Sequence, residues 1–194
     1  RKGDNLYTNS IVALKAGTGE IVWQNRGTTM NAIPSAVHAD GIVYVMSGYR
    51  GNNLQAIRLA GASGDIASTD AIIWQLDRDT PYVPSPLLYG GWLYYLRHYQ
   101  GVLSRVNAKT GDEPSGPFRL GAVFNIYSSP VAATGRIYVT DRNGKTLVIS
   151  NDAEPRALAL NELEDRFSAS AALVGDAIFL RGEKFLYCIA KEIK

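Results

Sequence analysis

Short runs of small residues, tight turns and runs of β-branched or aromatic residues alternate along this chain. The order is plainest in Ser128-Ser129-Pro130-Val131-Ala132-Ala133, then Thr134-Gly135, then Arg136-Ile137-Tyr138-Val139. It predicts a small-residue strand, a hairpin turn and a second strand carrying a buried apolar–aromatic pair. The same order returns at Ser35-Ala36 with Gly41 and Val43-Tyr44, and at Ser85-Pro86 with Gly91 and Leu93-Tyr94. It returns once more at Ser170-Ala171 with Gly175-Asp176 and Ile178-Phe179. In every copy the pair falls eight and nine residues after the serine, and Ser35, Ser85, Ser129 and Ser170 follow one another at 50, 44 and 41 residues. Periods of this length, each holding several short strands, predict an all-β propeller of about four blades of four antiparallel strands. Small residues suit the inner strands, which converge on an axis. Asp40-Gly41, Gly90-Gly91, Thr134-Gly135 and Gly175-Asp176 can supply the positive φ of two-residue turns.

A single propeller domain is expected over 1–194, with blades at about 1–27 (incomplete), 32–77, 83–120, 127–163 and 168–194 (lacking its outer strand). Asn9–Leu14 and Glu20–Gln24 read as third and fourth strands with no serine-headed strand before them, so the chain opens within a repeat. The expectation is an arc of a larger, about eight-bladed ring, completed by a missing N-terminal half or by a second copy. Gly61-Ala62-Ser63-Gly64-Asp65 reads as a flexible insertion, and Pro114 and Pro117 interrupt a fourth strand. Arg156–Leu163 is rich in helix formers, yet its position in the repeat predicts an outer strand.

Charge and composition exclude more than they assign. A net charge of +2 gives no case for nucleic acid or an anionic membrane surface. No apolar run approaches the roughly 18 residues of a membrane-spanning helix. Cys188, the one cysteine, cannot form an internal disulfide and reads as a small buried hydrophobe within Phe185–Ile189. His38 and His98 fall on different blades without metal-ligand spacing, so no metal site is expected. Asp77 with Asp79, and Glu162 with Glu164 and Asp165, sit at strand ends, where charge is ordinarily solvated rather than paired for glycosidic chemistry. No nucleophile elbow or phosphate-binding glycine loop is present, and no catalytic residue is expected.

Ala13-Leu14-Lys15-Ala16-Gly17-Thr18-Gly19-Glu20-Ile21-Val22-Trp23 resembles the tryptophan-docking motif of pyrroloquinoline-quinone-type propellers, Ala-x-Asp-x-x-Thr-Gly-x-x-x-Trp, with Lys15 replacing the acidic residue. A second copy keeps Asn107, Thr110 and Gly111 but has Ser115 in the tryptophan place, and around Ser63-Gly64 and Trp74 the motif is stretched. The resemblance implies that Thr18, Gly19, Trp23, Trp74, Thr110 and Gly111 lock blades together, the indole of one packing over the turn glycine of its neighbour. The chain is similar to the C-terminal half of secreted bacterial proteins with these repeats, and similar blades occur in the propeller lipoprotein of the outer-membrane β-barrel assembly machinery. Periplasmic or secreted location is therefore expected. The resemblance also brings an alternative, a quinone- and Ca²⁺-dependent oxidoreductase whose catalytic set lies outside this chain. The adjacent-cysteine disulfide of such dehydrogenases cannot form here, and no acid–amide set matches, so no cofactor is expected.

The leading functional expectation is a non-catalytic binding scaffold. Loops between second and third strands share a face with the loops entering each blade, and the former each contain one arginine. Arg50, Arg97, Arg142 and Arg181, with Tyr49, Tyr82, His98, Tyr99, Asn125 and Tyr127, are expected to form an arginine–tyrosine collar around a channel. Guanidinium forks would hold a carboxylate or phosphate while the phenols stack or hydrogen-bond. The partners expected are a protein or a small anionic ligand, with extended-segment capture at a blade edge as a further mode.

Overall fold

A computed structural model describes residues 9–191, so the parts of the expected end blades at 1–8 and 192–194 lie outside the described residues. Eighteen strands and no helix occur among them. The first sheet holds β1 (Ser10–Leu14) and β2 (Ile21–Arg26). The second holds β3 (Val37–Ala39), β4 (Ile42–Ser47) and β5 (Asn53–Arg58); β6 (Gly64–Asp65) leaves it, and β7 (Ile72–Leu76) returns as its outer strand. The third runs through β8 (Leu87–Tyr89), β9 (Trp92–Leu96), β10 (Val102–Asn107) and β11 (Phe118–Arg119). The fourth comprises β12 (Val131–Ala133), β13 (Arg136–Thr140), β14 (Lys145–Ser150) and β15 (Ala157–Glu162). The fifth has β16 (Ala172–Val174), β17 (Ala177–Arg181) and β18 (Leu186–Ala190). Three sheets thus have four antiparallel strands in chain order, while the first and last have three among the described residues.

The innermost strands β3, β8, β12 and β16 touch in that order, which wraps the sheets about a common hub. The recurring serine does more there than save space. The Ser35 N–H donates to Ser85 Oγ at 2.9 Å, Ser85 N–H to Ser129 Oγ at 2.9 Å, and Ser129 N–H to Ser170 Oγ at 2.8 Å. Each serine stands just ahead of its inner strand, which begins two residues later, and the belt satisfies backbone donors that no ladder reaches. Apolar residues fill the spaces between sheets. Val45, Ile57 and Ile66 pack with Trp23 between the first and second; Met46, Leu54, Leu93 and Tyr95 lie between the second and third; Leu96, Leu103, Val139 and Leu147 lie between the third and fourth.

Three sequence expectations change. The 61–65 insertion is ordered: β6 pairs in parallel with the outer edge of β2, Trp23 opposite Gly64, and Ile66 is buried under the same contact. Cys188 is exposed, because it lies on β18 of the last sheet, which no further described sheet covers. Arg181 belongs to strand β17, opposite Leu186, rather than to a loop. The helix formers of 157–162 do form the outer strand β15, since the edge of β14 offers it a ladder from Lys145 opposite Glu162 to Ile149 opposite Ala157.

Candidate binding face

Loops β4–β5, β9–β10, β13–β14 and β17–β18 share one end of the sheets with the segments that enter each blade. Close backbone approach builds this end. A side chain at Gly48, Gly101 or Gly144 would collide with the carbonyls of Thr80, Val123 or Leu163 in the segment entering the next sheet. Asn31, Asp79 and Asn125 turn those segments with φ of 59°, 56° and 56°, a conformation that Asn and Asp tolerate better than most residues. Side chains then fix the segments. Asn52 Oδ1 accepts from Thr80 N and Thr80 Oγ1, both at 3.0 Å. Asp141 Oδ1 accepts from Asn143 N and Lys145 N at 2.9 and 3.0 Å.

Asp165 serves the last sheet most fully. Its carboxylate accepts from Arg166 N at 2.7 Å, from Lys184 N at 3.1 Å, from Phe185 N at 3.1 Å and from Tyr187 Oη at 3.3 Å. Burial pushes this carboxyl up, but the four donors together pull it below the usual carboxylate range.

On this framework six of the predicted residues gather into two stacks, each bridging adjacent blades. Tyr49 stacks on Tyr82 with ring centroids 4.7 Å apart, Arg50 lies over Tyr49 at 5.6 Å, and Asn31 Nδ2 donates to Tyr82 Oη at 3.0 Å. Tyr99 stacks on Tyr127 at 5.9 Å, and Arg142 covers Tyr127 at 4.7 Å. Arg142 N donates to Asn125 O at 3.3 Å, so Asn125 positions the backbone of the second stack. The four arginines are not equivalent. Arg97 is held by Asp79 at 3.2 Å, whereas Arg50 and Arg142 have no carboxylate partner among the described residues and are held by aromatic faces. His98 contributes backbone: its N–H donates to Thr80 O, and its carbonyl accepts from Tyr82 N. Asn31 was not singled out from the sequence, and Asp79 was weighed only beside Asp77 as a strand-end carboxylate, although Asn31 and Asn125 each stand four residues before a repeat serine.

The blade-docking residues fall elsewhere, near the opposite end. Trp74 Nε1 donates to Ala108 O at 3.1 Å, Tyr44 Oη donates to the same carbonyl at 2.9 Å, and a Cβ on Gly111 would come within 2.8 Å of the indole. Thr110 Oγ1 ties the turn to Asp112 at 2.7 Å. Ser115, in the tryptophan place of the next sheet, donates to Ala153 O at 2.8 Å. Trp23 is 5% exposed within the first inter-sheet core. Among the described residues Thr18 hydrogen-bonds only to Glu20, and nothing lies over Gly19.

Among the described residues no three His, Cys, Asp or Glu side chains converge to hold a metal ion. Among the described residues no helix is long and apolar enough to cross a membrane.

The model of the family described as outer membrane protein assembly factor BamB matches residues 7–114. No curated protein matches the sequence. Among solved structures, BamB from Moraxella catarrhalis superposes with a TM-score of 0.66 at 15% identity over 95% of this chain and 56% of that one. The computationally designed Ika8 protein gives 0.67 at 10% identity over 95% and 54%, and the designed Ika4 protein 0.61 at 10% identity over 89% and 99%. The chain therefore spans little more than half the length of the first two. At these identities the likeness shows the fold, a β-propeller.

Proposed function

Because the chain belongs to the family of the outer membrane protein assembly factor BamB, we propose that it is a non-catalytic propeller of the bacterial envelope, periplasmic or secreted, which binds a protein partner during outer-membrane protein assembly. In this reading its sheets are an arc of a larger ring, and the indole contacts of Trp23 and Trp74 keep neighbouring blades in register. The observation that carries the reading is the pair of tyrosine–arginine stacks on one face. Tyr and Arg, with Trp, are the residues enriched at the energetic centres of interfaces. Arg50 and Arg142, lacking carboxylate partners, favour a partner segment bearing a carboxylate.

The test is site-specific photo-crosslinking in the full-length protein in its own cells. A photoreactive residue at position 49 or 99 should capture one envelope protein, and one at position 109 or 134, on the opposite face, should not. Replacing Arg50 and Arg142 together with Ala should cut the yield at least tenfold, given charge-assisted bonds of about 1.5–3 kcal/mol. Equal capture from both faces, or dye reduction on adding pyrroloquinoline quinone and Ca²⁺, would reverse the reading.

A further inference from the structure

At the outer rim of the same face, between the first and second sheets, lies a cavity of about 380 Å³ lined by Gly27, Asn52, Asn53, Gln55, Gln75, Leu76 and Asp77. That volume sits at the small end of the ~300–1,000 Å³ of ligand pockets, but its chemistry is unlike the apolar spaces between the other sheets. A ladder of amides forms its floor: Asn25 Nδ2 donates to Gln55 Oε1, and Gln55 Nε2 to Gln75 Oε1 at 3.5 Å. Asn53 Nδ2 is fixed on the Gly27 carbonyl. Beneath them Asn25 is 2% exposed, and its Oδ1 has no partner among the described residues.

The fold does not require amides here. Gln55 pairs with Val45 and Gln75, and the same register in the fourth sheet is Val139, Leu147 and Leu160. Leucine thus fills in one blade the positions that glutamine holds in another. Burying amides where leucine would pack costs stability unless something uses their hydrogen bonds.

We propose that this rim pocket binds a neutral sugar ring. The acceptor oxygen of Asn52 is filled by two bonds from Thr80, and those of Gln55 and Gln75 each already accept one bond within the ladder. Left toward the cavity are chiefly amide N–H from Asn52 and Gln75 and the carboxylate of Asp77. A sugar hydroxyl accepts from the former and donates to the latter. An anion would meet Asp77 with no cation in the lining, and a metal ion would find a single carboxylate.

The assignment is independent of the tyrosine–arginine face, and its test reads different atoms. In side-chain amide NMR of the protein, glucose or N-acetylglucosamine should shift the Asn52 and Gln75 NH₂ signals along saturable curves. Gln75→Ala and Asp77→Asn, both at exposed positions, should each weaken the effect about tenfold, as expected for one lost hydrogen bond of about 1.4 kcal/mol. Lys109→Ala, on the opposite face, should leave it unchanged. Stronger binding of an N-acetylglucosamine oligomer than of the monomer would assign the end of a glycan chain, and equal binding a free sugar. Shifts that rise linearly with concentration, or that survive both substitutions, would overturn the proposal.

Discussion

Across the second sheet Ala56 faces Trp74, and in the first sheet Ala13 faces Trp23: a small residue opposite an indole that reaches the next blade. In the third sheet the strand partner of Tyr94 is Arg105, the register of Ala56, and the large residue has moved to this strand. Its guanidinium lies 3.3 Å from the centroid of Trp92, its Nε donates to Tyr94 Oη at 3.0 Å, and it is 5% exposed. Burial raises Tyr94, which keeps that phenol neutral, so Arg105 is stabilised by aromatic faces and a dipole rather than by a counter-ion. A motif with a serine in the tryptophan place looked incomplete in the sequence because the compensating residue sits on another strand, ten positions earlier. The tyrosine–arginine stacks were legible because their residues recur at fixed places. Asp165 was not, since a carboxylate at a strand end reads as solvated. It nevertheless yields a prediction. Its lowered carboxyl contributes stability that is fully present above the unfolded value near 3.9 and is lost as pH falls through the lower folded value. Denaturant midpoints should therefore fall as acid protonates it, and Asp165→Asn should be weaker near neutrality but flatter across that acidic window. A variant whose acid sensitivity matches the parent would show that other carboxylates dominate.

At the scale of the element, the hairpins at the foot of each blade are the best test of what local sequence dictates. Asp40-Gly41 (φ 51° and 74°), Gly90-Gly91 (59° and 80°) and Thr134-Gly135 (50° and 73°) have positive φ at both central residues, and Gly175-Asp176 only at the first. The two-residue length and the glycines foretold these turns. One of them sets a β-branched residue, Thr134, in a left-handed position, where Cβ crowding costs about 1 kcal/mol or more. Thr134 is exposed, so Thr134→Asn should stabilise the protein by about 0.5–1 kcal/mol, read as a higher urea midpoint with unchanged slope. No gain would mean that the fourth sheet draws on the threonine for something beyond the turn. The misread element, β6, shows the converse. Gly64-Asp65 has no strand propensity and becomes a strand because the edge of β2 is beside it, which the local pattern could not reveal.

Over the whole molecule, stability should be distributed as in other stacked repeats, with each unit leaning on its neighbours. The third sheet is covered on both faces by apolar clusters, while the first and fifth leave Leu14, Ile21, Val174 and Leu186 exposed. Amide exchange should accordingly be slowest in β9 and β10 and fastest in β1 and β18. The serine belt makes a sharper claim, because it links hubs rather than faces. Ser129→Ala removes the acceptor of the Ser85 N–H yet leaves the Ser129 N–H donating to Ser170. The loss, about 1–3 kcal/mol for a part-buried donor left without a partner, belongs to the junction between the third and fourth sheets. Exchange in β8 and β12 should quicken together, with β16 little changed. If only β12 quickened, the belt would be a string of local turns; if all inner strands quickened equally, the sheets would unfold as one body and the repeat description would fail.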